Sequence, residues 1–170
     1  ATPHVAGVAA LLKQAHPDWS AFEIKSAIKR GASRTTVKDD PRINDAGAGG
    51  VDALAAVQAP RGAAFIEETY FAKLTVELSI RVPVGRPYTI SVARGSTLED
   101  VTTSSWTTVL QGTSTSTLSD VAFSTTTLPQ GAYIAKLTAT TSNGAEINDY
   151  TSFEINRFAL STPLEGDVVN

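Results

Sequence analysis

The chain has 170 residues, with 14 Lys+Arg against 17 Asp+Glu, 2 His, and neither Cys nor Met. A net charge of -3 offers no basic field for nucleic acid or an anionic membrane, and zero Cys excludes disulfides, thiolate nucleophiles and zinc–thiolate centres. A chain that opens Ala1-Thr2-Pro3-His4, with no Met and no signal-like apolar region, is expected to be a processed or trimmed piece, and no membrane segment is expected in it.

From the N-terminus, Val5, Val8, Ala9, Leu12 and Ala15 recur at helical spacing. Nearly every residue through Leu12 is apolar, and Ala6, Gly7, Ala9 and Ala10 permit close backbone approach, so in the intact fold the helix is expected to be buried, with partners on every side that residues 1–60 do not themselves supply. His16-Pro17-Asp18-Trp19 stops it. Ser20 and Glu23 then form a capping box, worth roughly 1 kcal/mol, for a second helix over Ala21–Arg30. Its apolar face is Ile24, Ala27 and Ile28, and Gly31 is predicted to close it in the left-handed conformation. Beyond a polar stretch with Asp39-Asp40-Pro41, the run Gly47-Ala48-Gly49-Gly50 leads to Asp52, which caps a short helix through Gln58; Pro60 ends the segment.

The habit changes near Pro60. Residues 1–60 carry 7 basic and 6 acidic side chains and residues 61–170 carry 7 and 11, and the hydrophobic period falls to two, as in Leu74, Val76, Leu78, Ile80 and Val82. Strands are predicted at about 73–82, 88–93, 106–110, 120–124, 132–140 and 146–155, with Asn143-Gly144 turning into the last. Six or seven short strands in about 100 residues suggest a β-sandwich. Trp106, Val109, Leu110, Val121 and Phe123 interrupt the Ser/Thr-rich stretch 102–127 at strand-like spacing, so it reads as edge strands rather than a mucin-like linker.

The opening Ala1-Thr2-Pro3-His4-Val5-Ala6-Gly7 resembles the stretch just after the catalytic serine of subtilisin-like serine proteases, the subtilases of peptidase family S8. Ala1, Pro3, His4, Val5 and Gly7 match the signature's last part. His16-Pro17-Asp18-Trp19-Ser20 with Glu23-Ile24-Lys25, and Gly47-x-Gly49 before Val51-Asp52-Ala53, follow in the family's order. The resemblance implies that residues 1–60 are the C-terminal end of an α/β parallel-sheet catalytic domain. Residues 61–158, with Leu128-Pro129-Gln130-Gly131-Ala132-Tyr133 as a strand entry, resemble the all-β fibronectin-III/Ig-like sandwich of large bacterial extracellular members. Residues 159–170 are a linker or the start of a further module.

Aligned on the signature, the nucleophilic serine falls two residues before Ala1, and the family's Asp, His, Ser order places the other triad members further upstream. No triad residue is therefore expected here, and His4 takes a structural place in the motif rather than the general base's. Ser20 with His16 and Asp18 is better read as a helix stop and cap, because no oxyanion loop or nucleophile elbow accompanies it. The pair Glu67-Glu68 is set aside as an acid/base couple because neighbouring strand residues face opposite ways. Asp39, Asp40, Asn44 and Asp45 lack EF-hand spacing and read as a solvated loop, although the resemblance allows calcium in the intact enzyme; no other cofactor is implied.

Two functions stay open: part of a secreted endopeptidase acting on protein or peptide substrates, partnered by the upstream catalytic domain, or a sandwich that binds a cell surface or substrate on a protease-like scaffold. Trp106, Tyr70 and Phe71 are the aromatics that would serve the second. Residues 1–60 alone, too few to cover an all-round apolar helix, are expected to be molten or aggregated, and a cooperative calorimetric transition from that segment would contradict this.

Overall fold

The computed structural model describes residues 2–33, 47–72, 74–98, 100–101, 106–141 and 143–156. Among the described residues three helices come first, α1 (Thr2–Ala15), α2 (Ala21–Gly31) and α3 (Ala53–Gln58). Seven strands follow: β1 (Phe65–Ala72), β2 (Thr75–Arg81), β3 (Pro87–Arg94), β4 (Thr107–Thr113), β5 (Leu118–Ser124), β6 (Gly131–Thr140) and β7 (Glu146–Ile155).

The helix boundaries have local causes. Pro3 sits in the first turn of α1, where no donor to the helix ladder is required, and Lys13 in its last turn meets the negative end of the dipole. The Ser20 hydroxyl accepts from Glu23 N–H while a Glu23 carboxylate oxygen accepts from Ser20 N–H at 2.8 Å, completing the capping box of α2. Asp52 caps α3 through Ala55 N–H at 2.9 Å. Val8, Leu12, Trp19, Ala27 and Ala56 form the buried core of this helical layer.

Among the described residues α1 is buried along one stripe, at Val8 and Leu12, and Val5 and Leu11, which flank it, remain 40% and 50% exposed. Ala6, Gly7 and Ala10 are exposed too, and a side chain at Gly7 would meet nothing within 4 Å, so close packing does not occur there among the described residues. One expectation about the helices is corrected: Gly31 does not turn left-handed but is the last helical residue, followed by an extended Ala32. Its smallness serves proximity, because a Cβ there would stand 2.4 Å from the backbone nitrogen of Ala56 at the crossing of α2 and α3.

The strands form two antiparallel sheets, ordered β1-β2-β5 and β4-β3-β6-β7. Alternation gives each sheet one apolar face, and these faces share a core: Val76, Leu78 and Ile80 from β2, Ile90 and Val92 from β3, and Tyr133, Ala135, Leu137 and Ala139 from β6. Phe153 of β7 stacks on Tyr133 at 5.4 Å and meets Phe123 of β5 edge-on at 5.9 Å, joining the sheets. At the start of β6 the Tyr133 hydroxyl donates to Pro129 O at 3.0 Å. The Ser/Thr-rich stretch contributes β4 and β5, each at a sheet edge.

Strand β1 was not among the predicted strands. Its pairing with β2 slips between Ile66 and Glu68, so Glu67 is an extra residue that breaks the period-two pattern. Leu74, predicted to lie within a strand, precedes β2 and is 47% exposed. The predicted turn at Asn143-Gly144 is part of a wider connection, closed by Thr141 N–H to Ala145 O at 2.8 Å, with Gly144 at φ 85°.

Gly31→Ala is expected to lower stability by about 1–3 kcal/mol through overpacking. Gly7→Ala, in open space on a helix, should raise it by about 0.5–1 kcal/mol. Urea melts of the two variants check the contrast.

Candidate functional site

The family-like residues lie in three neighbouring places. Pro3, His4, Val5 and Gly7 occupy the first two turns of α1, and the structural description begins one residue after Ala1. His4 and Val5 line a hollow of about 390 Å³ with Ile28, Ala32, Gly49 and Val51, which brings the start of α1, the end of α2 and the Gly-rich run together. Gly50 is held by paired backbone hydrogen bonds with Ser33, at 2.8 and 2.9 Å.

The second motif makes a rigid corner. His16 stacks on Trp19 with ring centroids 4.0 Å apart, and its Nε2 lies 3.1 Å from Val57 O, tying the end of α1 to α3. Lys13 Nζ donates to Pro17 O and Trp19 O at 2.7 and 2.9 Å, filling carbonyls left over at the helix stop. Ser20 Oγ faces Glu23 at 3.0 Å, not a histidine, so the Ser20/His16/Asp18 trio is structural. Among the described residues no serine hydroxyl pairs with an imidazole, and no group of three or more His, Asp or Glu could hold a metal ion. Asp39, Asp40, Asn44 and Asp45 lie outside the described residues.

The charged chemistry is concentrated where α2 meets the strands. Lys25 and Arg81 converge on Glu67 at 2.6 and 3.2 Å, and Lys29 pairs with Asp149 at 2.5 Å. The same Asp149 oxygen accepts from the buried Ile66 N–H at 2.7 Å. Phe65, fully buried, lies within 6.0 Å of three cations, Lys25, Lys29 and Arg81. The connector contributes Arg61, which bonds Glu23 at 2.7 Å and Asp18 at 2.6 Å. Sequence reading missed this junction because its partners are 14 to 120 residues apart and acidic strand residues carry no motif. The bulge also corrects the view of Glu67 and Glu68 as a regular alternating pair: Glu67 is turned to α2 and Arg81, while Glu68 bonds the Tyr70 hydroxyl.

The aromatic candidates form no flat exposed platform among the described residues. Trp106 is half-buried, tilted 45° against Tyr150 and covered by Lys136 at 4.5 Å, and Tyr70 is 52% exposed at the sheet edge. Phe71's side chain lies outside what is described.

The hydrogen bond from Lys25 draws the Glu67 carboxyl below its ordinary pKa; desolvation opposes it and Arg81 adds to it. Burial pushes the Glu23 carboxyl up, but Arg61 and the Ser20 cap outweigh that and leave it lowered as well. A depressed folded-state value means stability that is complete above the unfolded glutamate range and lost as pH falls through the folded values. Glu67→Gln should therefore cost about 1 kcal/mol at neutral pH and flatten the loss of stability below about pH 4, as read from melting temperature against pH.

Residues 1–54 match the family model described as the Subtilase family. Subtilisin-like protease SBT4.3 of Arabidopsis thaliana is 56% identical over 41 residues, covering 24% of this chain and 6% of the relative. For subtilisin-like protease SBT1.9 of the same plant the identity is 75% over 28 residues, covering 16% and 4%. For SBT3 of Solanum lycopersicum it is 44% over 62 residues, covering 31% and 8%. The chain thus spans less than a tenth of the length of these relatives. Among solved structures, OgpA from Akkermansia muciniphila is similar at a TM-score of 0.40 and 10% identity, over 56% of this chain and 27% of that one. Pectate lyase Pel3 from Pectobacterium carotovorum gives 0.35 and 11%, over 57% and 27%.

Proposed function

We propose that the chain is the C-terminal part of a secreted, subtilisin-like serine endopeptidase acting on protein or peptide substrates. The observation that carries the reading is the match of residues 1–54 to the Subtilase family, with Pro3, His4, Val5 and Gly7 on the opening turns of α1. In this reading the nucleophilic serine stands two residues before Ala1. A serine attacks the scissile carbonyl, a histidine takes its proton and an aspartate orients that histidine. All three precede this chain, which on its own is inactive.

The residues present would position the chemistry. The N-terminal end of α1 carries the positive end of the helix dipole, which favours developing negative charge beside the serine. The His16–Trp19 corner and the Gly31 crossing fix α1 against α2 and α3. Val5, Leu11 and their small neighbours form the face on which the rest of an α/β catalytic domain packs; since both side chains are already about half covered, covering the remainder stabilises by roughly 1 kcal/mol each.

Residues 61–158 would form a fibronectin-III/Ig-like sandwich that braces this segment. Support comes from the division into three and four strands and from the Tyr133 hydroxyl reaching back to Pro129, a corner typical of such modules. No described helix is long and apolar enough to cross a membrane, and the reading places the enzyme outside the cell or at its surface. Calcium would belong to the intact enzyme.

A fluorophosphonate probe, which labels activated serines, tests this on the protein extended by its upstream sequence. Covalent labelling that is lost when the serine two residues before Ala1 becomes alanine is expected, with none on residues 1–170. An extended protein that folds but neither labels nor cleaves casein would overturn the protease reading in favour of a binding scaffold.

A further inference from the structure

We infer that Asn143 is a site of spontaneous deamidation gated by the fold: a latch at Thr141 restrains both reacting groups, and the amide reacts when the connection between β6 and β7 opens. Of the asparagines in the chain, Asn143 alone is followed by glycine. Both residues are exposed, Gly144 sits at φ 85°, and a Cβ there would meet nothing within 4 Å, so no side chain crowds its backbone nitrogen.

The reaction needs no partner but water. The Gly144 amide nitrogen, its proton given up to solvent hydroxide, bonds to Cγ of Asn143; the Cγ–Nδ2 bond then breaks and ammonia leaves with a proton taken from water. Nothing is oxidised or reduced. A second water opens the five-membered imide at either carbonyl, giving aspartate or isoaspartate. In isoaspartate the backbone runs through the side chain and is longer by a carbon.

In the closed connection both reacting groups are engaged. Gly144 N–H donates to Thr141 O at 3.0 Å, which occupies the nucleophile. Asn143 Oδ1 accepts from the Thr141 hydroxyl and from Ala145 N–H at 3.3 Å, which fixes the side chain. Thr141 is itself fully buried, its Oγ1 accepts from Ala145 N–H at 3.1 Å, and a Cβ at Gly62 of the connector would collide with its side chain. Attack therefore waits on local opening, and giving up two hydrogen bonds of about 1 kcal/mol net each slows it more than about tenfold against the open chain. The two products differ in what they rebuild. Aspartate offers the same acceptor oxygen, whereas the added carbon of isoaspartate is out of step with the Thr141 N–H to Ala145 O bond at 2.8 Å and with the Thr140–Glu146 pair beyond it. Thr141 also seats the connector at Gly62, so the isoaspartyl chain is loosened there as well.

The test is peptide-mass mapping of the 170-residue chain aged at neutral pH, folded in buffer and unfolded in urea, with an isoaspartyl methyltransferase marking the isoaspartyl product. Conversion at Asn143 is expected in both, slower in the folded chain by more than about tenfold. Thr141→Val, with folding checked by circular dichroism, should quicken the folded chain about fivefold and leave the urea rate unchanged. Thr141→Ser, which keeps the hydroxyl, should stay near the native rate, and isoaspartyl chains should melt below aspartyl ones. No conversion at Asn143 in either state, equal rates with and without urea, or a Thr141→Ser chain that folds and deamidates as fast as the urea-unfolded one would overturn the proposal.

Discussion

One carboxylate oxygen, Oδ2 of Asp149, holds the two parts of this chain in register. It receives Lys29 of α2 at 2.5 Å and the Ile66 N–H of β1 at 2.7 Å, so a helix, the first strand and the last strand meet at a single atom. The pair is partly shielded, with side-chain exposures of 27% and 11%, which places it between a surface ion pair worth little and a deeply buried one that must repay desolvation. The additional backbone hydrogen bond helps to repay it. Removing Asp149 would strand a buried N–H as well as an ammonium, so the site is costlier to break than the ion pair alone implies.

The arrangement is lopsided in a way that bears on function. Among the described residues the strand core contains sixteen buried residues and the helical core five, so the helices borrow order from the sheets rather than the reverse. Through α2 the borrowing reaches α1, because α1, α2 and α3 share that small core and Gly31 lets α2 and α3 approach to backbone contact. If the start of α1 stands next to a nucleophile, the strand layers lie two packing steps from the chemistry and act on it only by position.

What could be read in the residues was local. The Ser20–Glu23 cap, the Asp52 cap and strands β2 to β7 followed from spacing and composition, since each depends on groups three or four apart or on strict alternation. Strand β1 was hidden because the extra residue at Glu67 destroys that alternation, and Gly31 was misread because a glycine ending a helix suits both a left-handed cap and a close crossing. The junction charges lay beyond any local pattern.

The connector 59–64 marks a change of composition but not a break in cohesion. On its N-terminal side α2 presents Lys25 and Lys29; on the other lie Glu67, Asp149 and the buried ring of Phe65. The faces are opposite in charge and joined around an aromatic ring, so cutting the connector would leave two fragments that still fit each other. Reassociation of such halves would weaken as salt rises, because part of what joins them is screened within about 10 Å at 0.1 M ionic strength. The hydrophobic seat of Phe65 would persist. The compositional boundary near Pro60 therefore falls inside one mechanical unit.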